Sequence, residues 1–106
     1  VKLGLLNTSI VTSDGSYTLE SITPDQAVAL ARAAELDSAV GHDSTAQVLG
    51  TILGVEVPVN RQIFAQQPGQ KALILKINGR PEPGKELSRE ELEEIGFAFK
   101  LLTRTA

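Results

Sequence analysis

Cysteine is absent from these 106 residues. That excludes disulfides, thiolate zinc sites and iron–sulfur clusters. Secreted domains of this size often lean on disulfides, so a reducing compartment, the cytoplasm, is the expected location. Histidine occurs once, at His42, so no histidine cluster can form within one chain. No Asp-x-Asp run or calcium-loop pattern is present, and neither a metal nor a cofactor is expected. A basic excess is missing too: the net charge is −3 and the pI is near 5.1. Duplex nucleic acid calls for a basic face, so it is not an expected partner. A small anion held in a local basic pocket remains compatible with this balance. The longest apolar runs span about six residues, against roughly 20 for a bilayer. Neither a membrane span nor a signal peptide is expected. Glycine-rich nucleotide loops of the Gly-x-Gly-x-x-Gly or Walker type are lacking as well.

What is present is ordinary globular material. The hydrophobic fraction is 42%, enough for one core, and the length suits a single domain spanning 1–106. Strand-like and helix-like patterns alternate, which points to an α/β fold. Val1 to Leu6 reads as a first strand and Tyr17 to Ile22 as a second, joined by a polar connection with a turn at Ser13-Asp14-Gly15. Thr23-Pro24-Asp25-Gln26 opens a helix with a capping box and proline at the first helical position. Its stripe of Ala27, Leu30, Ala31 and Ala34 is narrow, so the helix can lie close to a sheet.

Ala39-Val40 is expected to form a short strand. Asp43 is the expected cap of a second helix running from Ser44 to Leu53 and stopped by Gly54. Gln62 to Ala65 and Lys71 to Ile77 flank Gln67-Pro68-Gly69-Gln70, a hairpin-like pattern. Ala72-Leu73-Ile74-Leu75 is apolar throughout, the mark of a central strand covered on both faces. Asn78 to Lys85 is a Gly/Pro-rich loop. Ser88-Arg89-Glu90-Glu91 forms a second capping box, and Phe97, Phe99 and Leu101 alternate as a last strand. The sum is three helices and about five strands in one mixed sheet.

Two regions can carry chemistry. Gly41-His42-Asp43-Ser44-Thr45 lies where a turn meets a helix start. Free backbone N–H groups and the helix dipole make such a place an anion site. Ser44 and Thr45 add hydroxyl donors, Gly41 lets a ligand approach the backbone, and histidine side chains exchange protons near neutral pH. The same residues also read as plain capping chemistry with a decorative histidine, and spacing alone favours that reading. The second region, Lys76 to Lys85, follows the best strand and carries three cations. Arg80 there can grip a phosphate bidentately, and a solvated, proline-stiffened turn is the competing reading. Asn7 and Asn60-Arg61 read as turn residues. Glu90, Glu91, Glu93 and Glu94 read as a solvated helix face.

The order and spacing of several segments say more than any one of them. Leu5-Leu6-Asn7, Gly41-His42-Asp43-Ser44-Thr45, Leu53-Gly54, Asn60-Arg61, Ala72 to Leu75 and Arg80 to Ser88 together resemble the small viral and prokaryotic ring nucleases, which include the type III anti-CRISPR proteins of archaeal viruses. The resemblance covers most of the chain and turns the preference at His42 toward function. It implies a mixed five-stranded sheet with helices, paired as a homodimer. It implies a ligand, cyclic tetra-adenylate, the messenger with which type III CRISPR complexes activate defence nucleases. It also implies metal-independent cleavage by a ribose 2′-hydroxyl, leaving linear adenylates with 2′,3′-cyclic phosphate ends, in a prokaryotic cytoplasm or that of an infected host.

By the same resemblance, His42 is the general acid and Arg80 the phosphate-binding arginine. Asn7 matches the family's asparagine near the ligand, and Gly41, Asp43, Ser44, Thr45, Arg61 and Lys76 complete the expected substrate-binding set. Two positions depart from the pattern. Pro83 stands where some relatives carry a glutamate, and Glu82 beside it is the expected catalytic substitute. Lys76 replaces a pocket glutamine. With aromatics at 4%, the adenines are expected to rest on aliphatic side chains and backbone hydrogen bonds. A protein that binds and sequesters the messenger without cutting it is the alternative.

Overall fold

Runs of β-branched and apolar residues supply the strands, and backbone pairing decides their order. A computed structural model describes residues 2–78 and 88–106. Its elements are β1 (Leu3–Leu6), β2 (Tyr17–Ile22), α1 (Pro24–Ala33), β3 (Leu36–Ser38), α2 (Asp43–Leu53), β4 (Lys71–Ile77), α3 (Arg89–Ile95) and β5 (Phe97–Arg104). The five strands form one mixed sheet in the order β2-β5-β4-β1-β3. β1 runs parallel to both β3 and β4, whereas β5 is antiparallel to β4 and to β2. The C-terminal ends of β1, β3 and β4 therefore emerge at the same end of the sheet.

Alternation along the strands separates two faces. Leu3, Leu5, Leu73, Leu75, Phe99 and Leu101 join the buried residues of α1, α2 and α3 in the larger core. The opposite face buries Leu6, Ala72, Ile74 and Leu102 beneath Phe64. All three helices thus cover one face, and no described helix covers the other. Ala72 to Leu75 are buried at every position, as expected of a strand covered on both sides.

The helix boundaries follow local chemistry. Thr23 caps α1 through the amide of Gln26, whose side chain returns to the Thr23 amide. Ser88 and Glu91 do the same for α3. Gly54 ends α2 in the left-handed region at φ 69°, a conformation glycine adopts without strain.

Three expectations need correction. The cap of α2 is His42, not Asp43: the backbone leaves helical geometry at His42, and Asp43 is already helical. The short strand lies at Leu36–Ser38 rather than Ala39-Val40, because these residues pair in register with Leu3, Gly4 and Leu5. No strand forms over 62–65. Both edges of β4 are taken, by β1 and β5, so the preceding segment has no place in the ladder. It crosses the helix-free face instead, and Phe64 fills the space above Gly4: a Cβ there would meet the ring tip at 2.5 Å.

Candidate functional site

A cleft of about 780 Å³ opens where β1 and β4 end. Asn7, Thr8 and Ser9 form one wall as the chain leaves β1. The end of β4, from Leu75 to Asn78, forms another. His42, Ser44 and Thr45 from the start of α2 form the third. Loops at the carboxyl ends of parallel strands are where open α/β sheets bind ligands, because the strands hold the bases of those loops rigidly.

The first turn of α2 sets the chemistry of this cleft. His42 is exposed and makes no capping hydrogen bond through its side chain, though its carbonyl accepts from the Ala46 amide at 3.0 Å. Its imidazole is not consumed by the helix. The backbone donors ahead of Ala46 gain no partner from the cap, and helix dipole and hydroxyls point the same way, toward an anion. Asp43, in the first turn, offsets part of that positive potential.

A strap from Pro58 to Gln62 fixes the approach to His42. The Asn60 amide donates to the Val40 carbonyl at 2.8 Å, and its side chain donates to the Ser38 carbonyl at 2.9 Å. Ser38, which is buried, donates its hydroxyl to the Pro58 carbonyl at 2.7 Å. Gln62 adds bonds to Ser38 and Asp37. The end of β3 and Val40 after it are thereby tied to the strap two residues ahead of His42.

The cleft brings together His42, Asn7, Ser44, Thr45 and Lys76 of the residues expected from sequence. Gly41, Asp43 and Arg61 lie beside it without lining it. The space above Gly41, expected to admit a ligand, holds Arg61, whose Nε sits 3.1 Å from where a Cβ would be. Arg80 and Glu82 lie outside the described residues. Sequence reasoning missed Thr8, Ser9 and Asn78. The first two were legible as a hydroxyl pair directly after Asn7. Asn78 lay within the region singled out after β4 without being named a site residue; its backbone amide donates to the Gly96 carbonyl at 2.9 Å. Among the described residues no group of three or more His, Asp or Glu could hold a metal, and no helix is long and apolar enough to cross a membrane.

These features define a small single-sheet α/β protein with one helical layer and a polar cleft at its parallel strand ends. The chain belongs to the STIV B116-like family, whose model matches residues 3–99. It is similar to the structure of B116 of Sulfolobus turreted icosahedral virus, with a TM-score of 0.82 and 25% identity, covering 98% of this chain and 100% of that one. The uncharacterised protein YddF of Bacillus subtilis is 34% identical over 98% of both chains. The uncharacterised protein 26 of Sulfolobus islandicus filamentous virus is 41% identical over 74% of this chain and 67% of its own. Relatives thus occur in a bacterium and in viruses.

Proposed function

We propose that the cleft binds cyclic tetra-adenylate and cuts it, with His42 as general acid. The observation that carries this reading is the open first turn of α2: an exposed imidazole, unused for capping, inside a cleft beside Lys76. In the step envisaged, a ribose 2′-oxygen attacks its adjacent phosphorus and the 5′-oxygen leaves. The imidazolium of His42 gives its proton to that oxygen, and the 2′-hydroxyl proton passes to water. The product end is a 2′,3′-cyclic phosphate, and the nucleophile is the substrate's own. Amide and hydroxyl groups of Asn7, Thr8, Ser9 and Asn78 suit ribose and phosphate oxygens. Leu75 and Ile77 supply aliphatic surface for the bases.

Size favours two copies. Pockets for drug-sized ligands span about 300–1,000 Å³, and the cleft, at about 780 Å³, lies inside that range. Four linked nucleotides exceed drug size. In this reading each protomer of a homodimer holds part of a two-fold symmetric ring, and each supplies one His42.

A second reading has one observation behind it. Among the described residues no carboxylate lines the cleft, where the titratable side chains are His42 and Lys76, so with His42 assigned as the acid no described side chain there serves as a separate base for the 2′-hydroxyl. This favours a protein that sequesters the ring and cuts it slowly or not at all. Chromatography of cyclic tetra-adenylate in large excess over protein, with EDTA present, separates the two. Multiple turnover to linear adenylates is expected, with cleavage falling about 10²–10⁴-fold in His42→Ala while binding persists. Full cleavage by that variant would remove His42 from the chemistry. Intact ligand co-eluting with protein would establish sequestration, and no interaction would end both readings.

A further inference from the structure

The acidic chain keeps a patch of unpaired positive charge on the helix-free face of its sheet. Lys76 pairs across the ladder with Ala98, while Ile74 pairs with Lys100 and Ser21 pairs with Lys100 from the other side. Alternation puts Lys76, Ala98, Lys100 and Ser21 on one face, opposite the helices, since Leu75, Phe99 and Leu101 point into the helix-covered core. Lys76 and Lys100 are diagonal neighbours, whose backbones in such a ladder stand about 7–8 Å apart. Lys76 is exposed and Lys100 half-buried, and their cross-strand partners Ala98 and Ser21 are small and exposed.

No described carboxylate pairs with them. Neither lysine side chain makes an ion pair or a hydrogen bond with a described residue, whereas Arg89 on α3 pairs with Glu93 at 3.2 Å. Glu20 pairs with Leu101 and therefore faces the helices. Asp37, on the same face as the lysines, sits across the sheet in β3 and accepts from Gln62. Lysine on a strand often guards a free edge against pairing with another chain. That explanation fails here, because β4 and β5 are interior strands. Two like charges a diagonal apart on one face gain nothing from each other, and this chain has more carboxylates than cations with which to neutralise them.

We infer that Lys100 joins Lys76 in a phosphate-binding platform that continues the cleft onto the helix-free face, and that a phosphodiester of the cyclic nucleotide rests on it. The inference deepens the proposed function and rests on it. Lys76 already lines the cleft, and Lys100 is the next cation inward on the same face. Its flexible four-carbon stem lets the ammonium reach toward a phosphate held by Lys76.

The test uses the 106-residue chain carrying His42→Ala, so that ligand survives, and measures the affinity of cyclic tetra-adenylate at several salt concentrations. Lys100→Gln should weaken binding about tenfold and lower the slope of log affinity against log salt by about 0.7–1. Lys100→Arg should restore both. Thermal unfolding of Lys100→Gln should change little, because no described side chain depends on the charge. Unchanged affinity and slope would overturn the platform. If cyclic tetra-adenylate does not bind the parent at all, the proposed function falls, and linear oligoadenylate becomes the probe. Binding of that probe that depends on Lys100 would uphold the platform for phosphodiesters, and its absence would overturn it. Equal, Lys100-dependent binding of duplex DNA would overturn it as well, by making this a general polyanion surface.

Discussion

The contact between Gly4 and Phe64 predicts a reversal of sign. Gly4 sits in β1 with ordinary extended backbone, since it is not among the glycines with positive φ, so alanine fits its conformation. Space is the obstacle. A Cβ at position 4 would lie 2.5 Å from Phe64 Cζ, 2.9 Å from Cε2 and 3.1 Å from Cε1. Carbon atoms settle at about 3.5–4.0 Å, so the ring tip must retreat by about 1 Å. Phe64 is 7% exposed and packs on Leu6, Ala72, Ile74 and Leu102, which leaves little room to do so. Overpacking of this kind costs about 1–3 kcal/mol. Phe64→Ala removes the ring and should cost about 3–5 kcal/mol. In that background Gly4→Ala should become neutral or stabilising by about 0.4–1 kcal/mol, because the clash is gone and the unfolded chain has less freedom. The double variant should therefore be no less stable than Phe64→Ala alone. Urea unfolding of the four proteins checks this, with Phe64→Leu as a milder partner if Phe64→Ala folds too weakly. Additivity of the two single changes to within about 0.5 kcal/mol would refute the claim that Phe64 occupies the missing side chain of Gly4.

Other perturbations address the approach to the cleft and the end of α2. Asn60→Ala deletes the side-chain bond to the Ser38 carbonyl. It should lower stability by about 0.5–1.5 kcal/mol in denaturant titration and weaken binding of cyclic tetra-adenylate, because the strap steadies the residues before His42; tighter binding would contradict that role. Gly54→Ala forces a β-carbon into the left-handed region at φ 69°, 2.6 Å from Nη2 of Arg32. It should cost about 1–2 kcal/mol, seen as a thermal midpoint lowered by several degrees. An unchanged midpoint would mean that the end of α2 relaxes.

How much of this was legible depended on whether the deciding interaction was local. The capping boxes at Thr23 and Ser88 are written in four consecutive residues each, and both form. Ala72 to Leu75 announced a two-face strand because burial on both sides demands apolar residues at every position. β3 was misplaced because Leu36-Asp37-Ser38 has no apolar alternation of its own; it is a strand because β1 has a free edge there. Residues 62–65 failed for the opposite reason. Their pattern suits a strand, but β4, the hairpin partner they would need, has both edges taken by β1 and β5. The cleft needed the parallel arrangement of β1, β3 and β4, which no local pattern encodes. That topology brings Asn7, His42 and Lys76 together from three distant stretches. Thr8 and Ser9 were missed because they looked like connection.

The start of α2 shows which local rule the fold sets aside, and at what cost. α1 and α3 close their first turns with capping boxes, whereas α2 places a histidine at the cap and gains no side-chain bond there. A good cap is worth about 0.5–2 kcal/mol, so the open turn forgoes a measurable stabilisation. Ala46, Val48, Leu49, Ile52 and Leu53 of the same helix are all buried, and each large aliphatic side chain among them contributes about 1.5–3 kcal/mol. Packing therefore outweighs the missing cap several times over, and α2 forms without it. Asp43, which by type is the better cap, stands one residue too late to serve. Where a sequence breaks a local rule that it obeys elsewhere, a functional site is the usual reason. Here the break leaves an imidazole and the donors of one helical turn at the cleft, the groups on which the proposed cleavage relies.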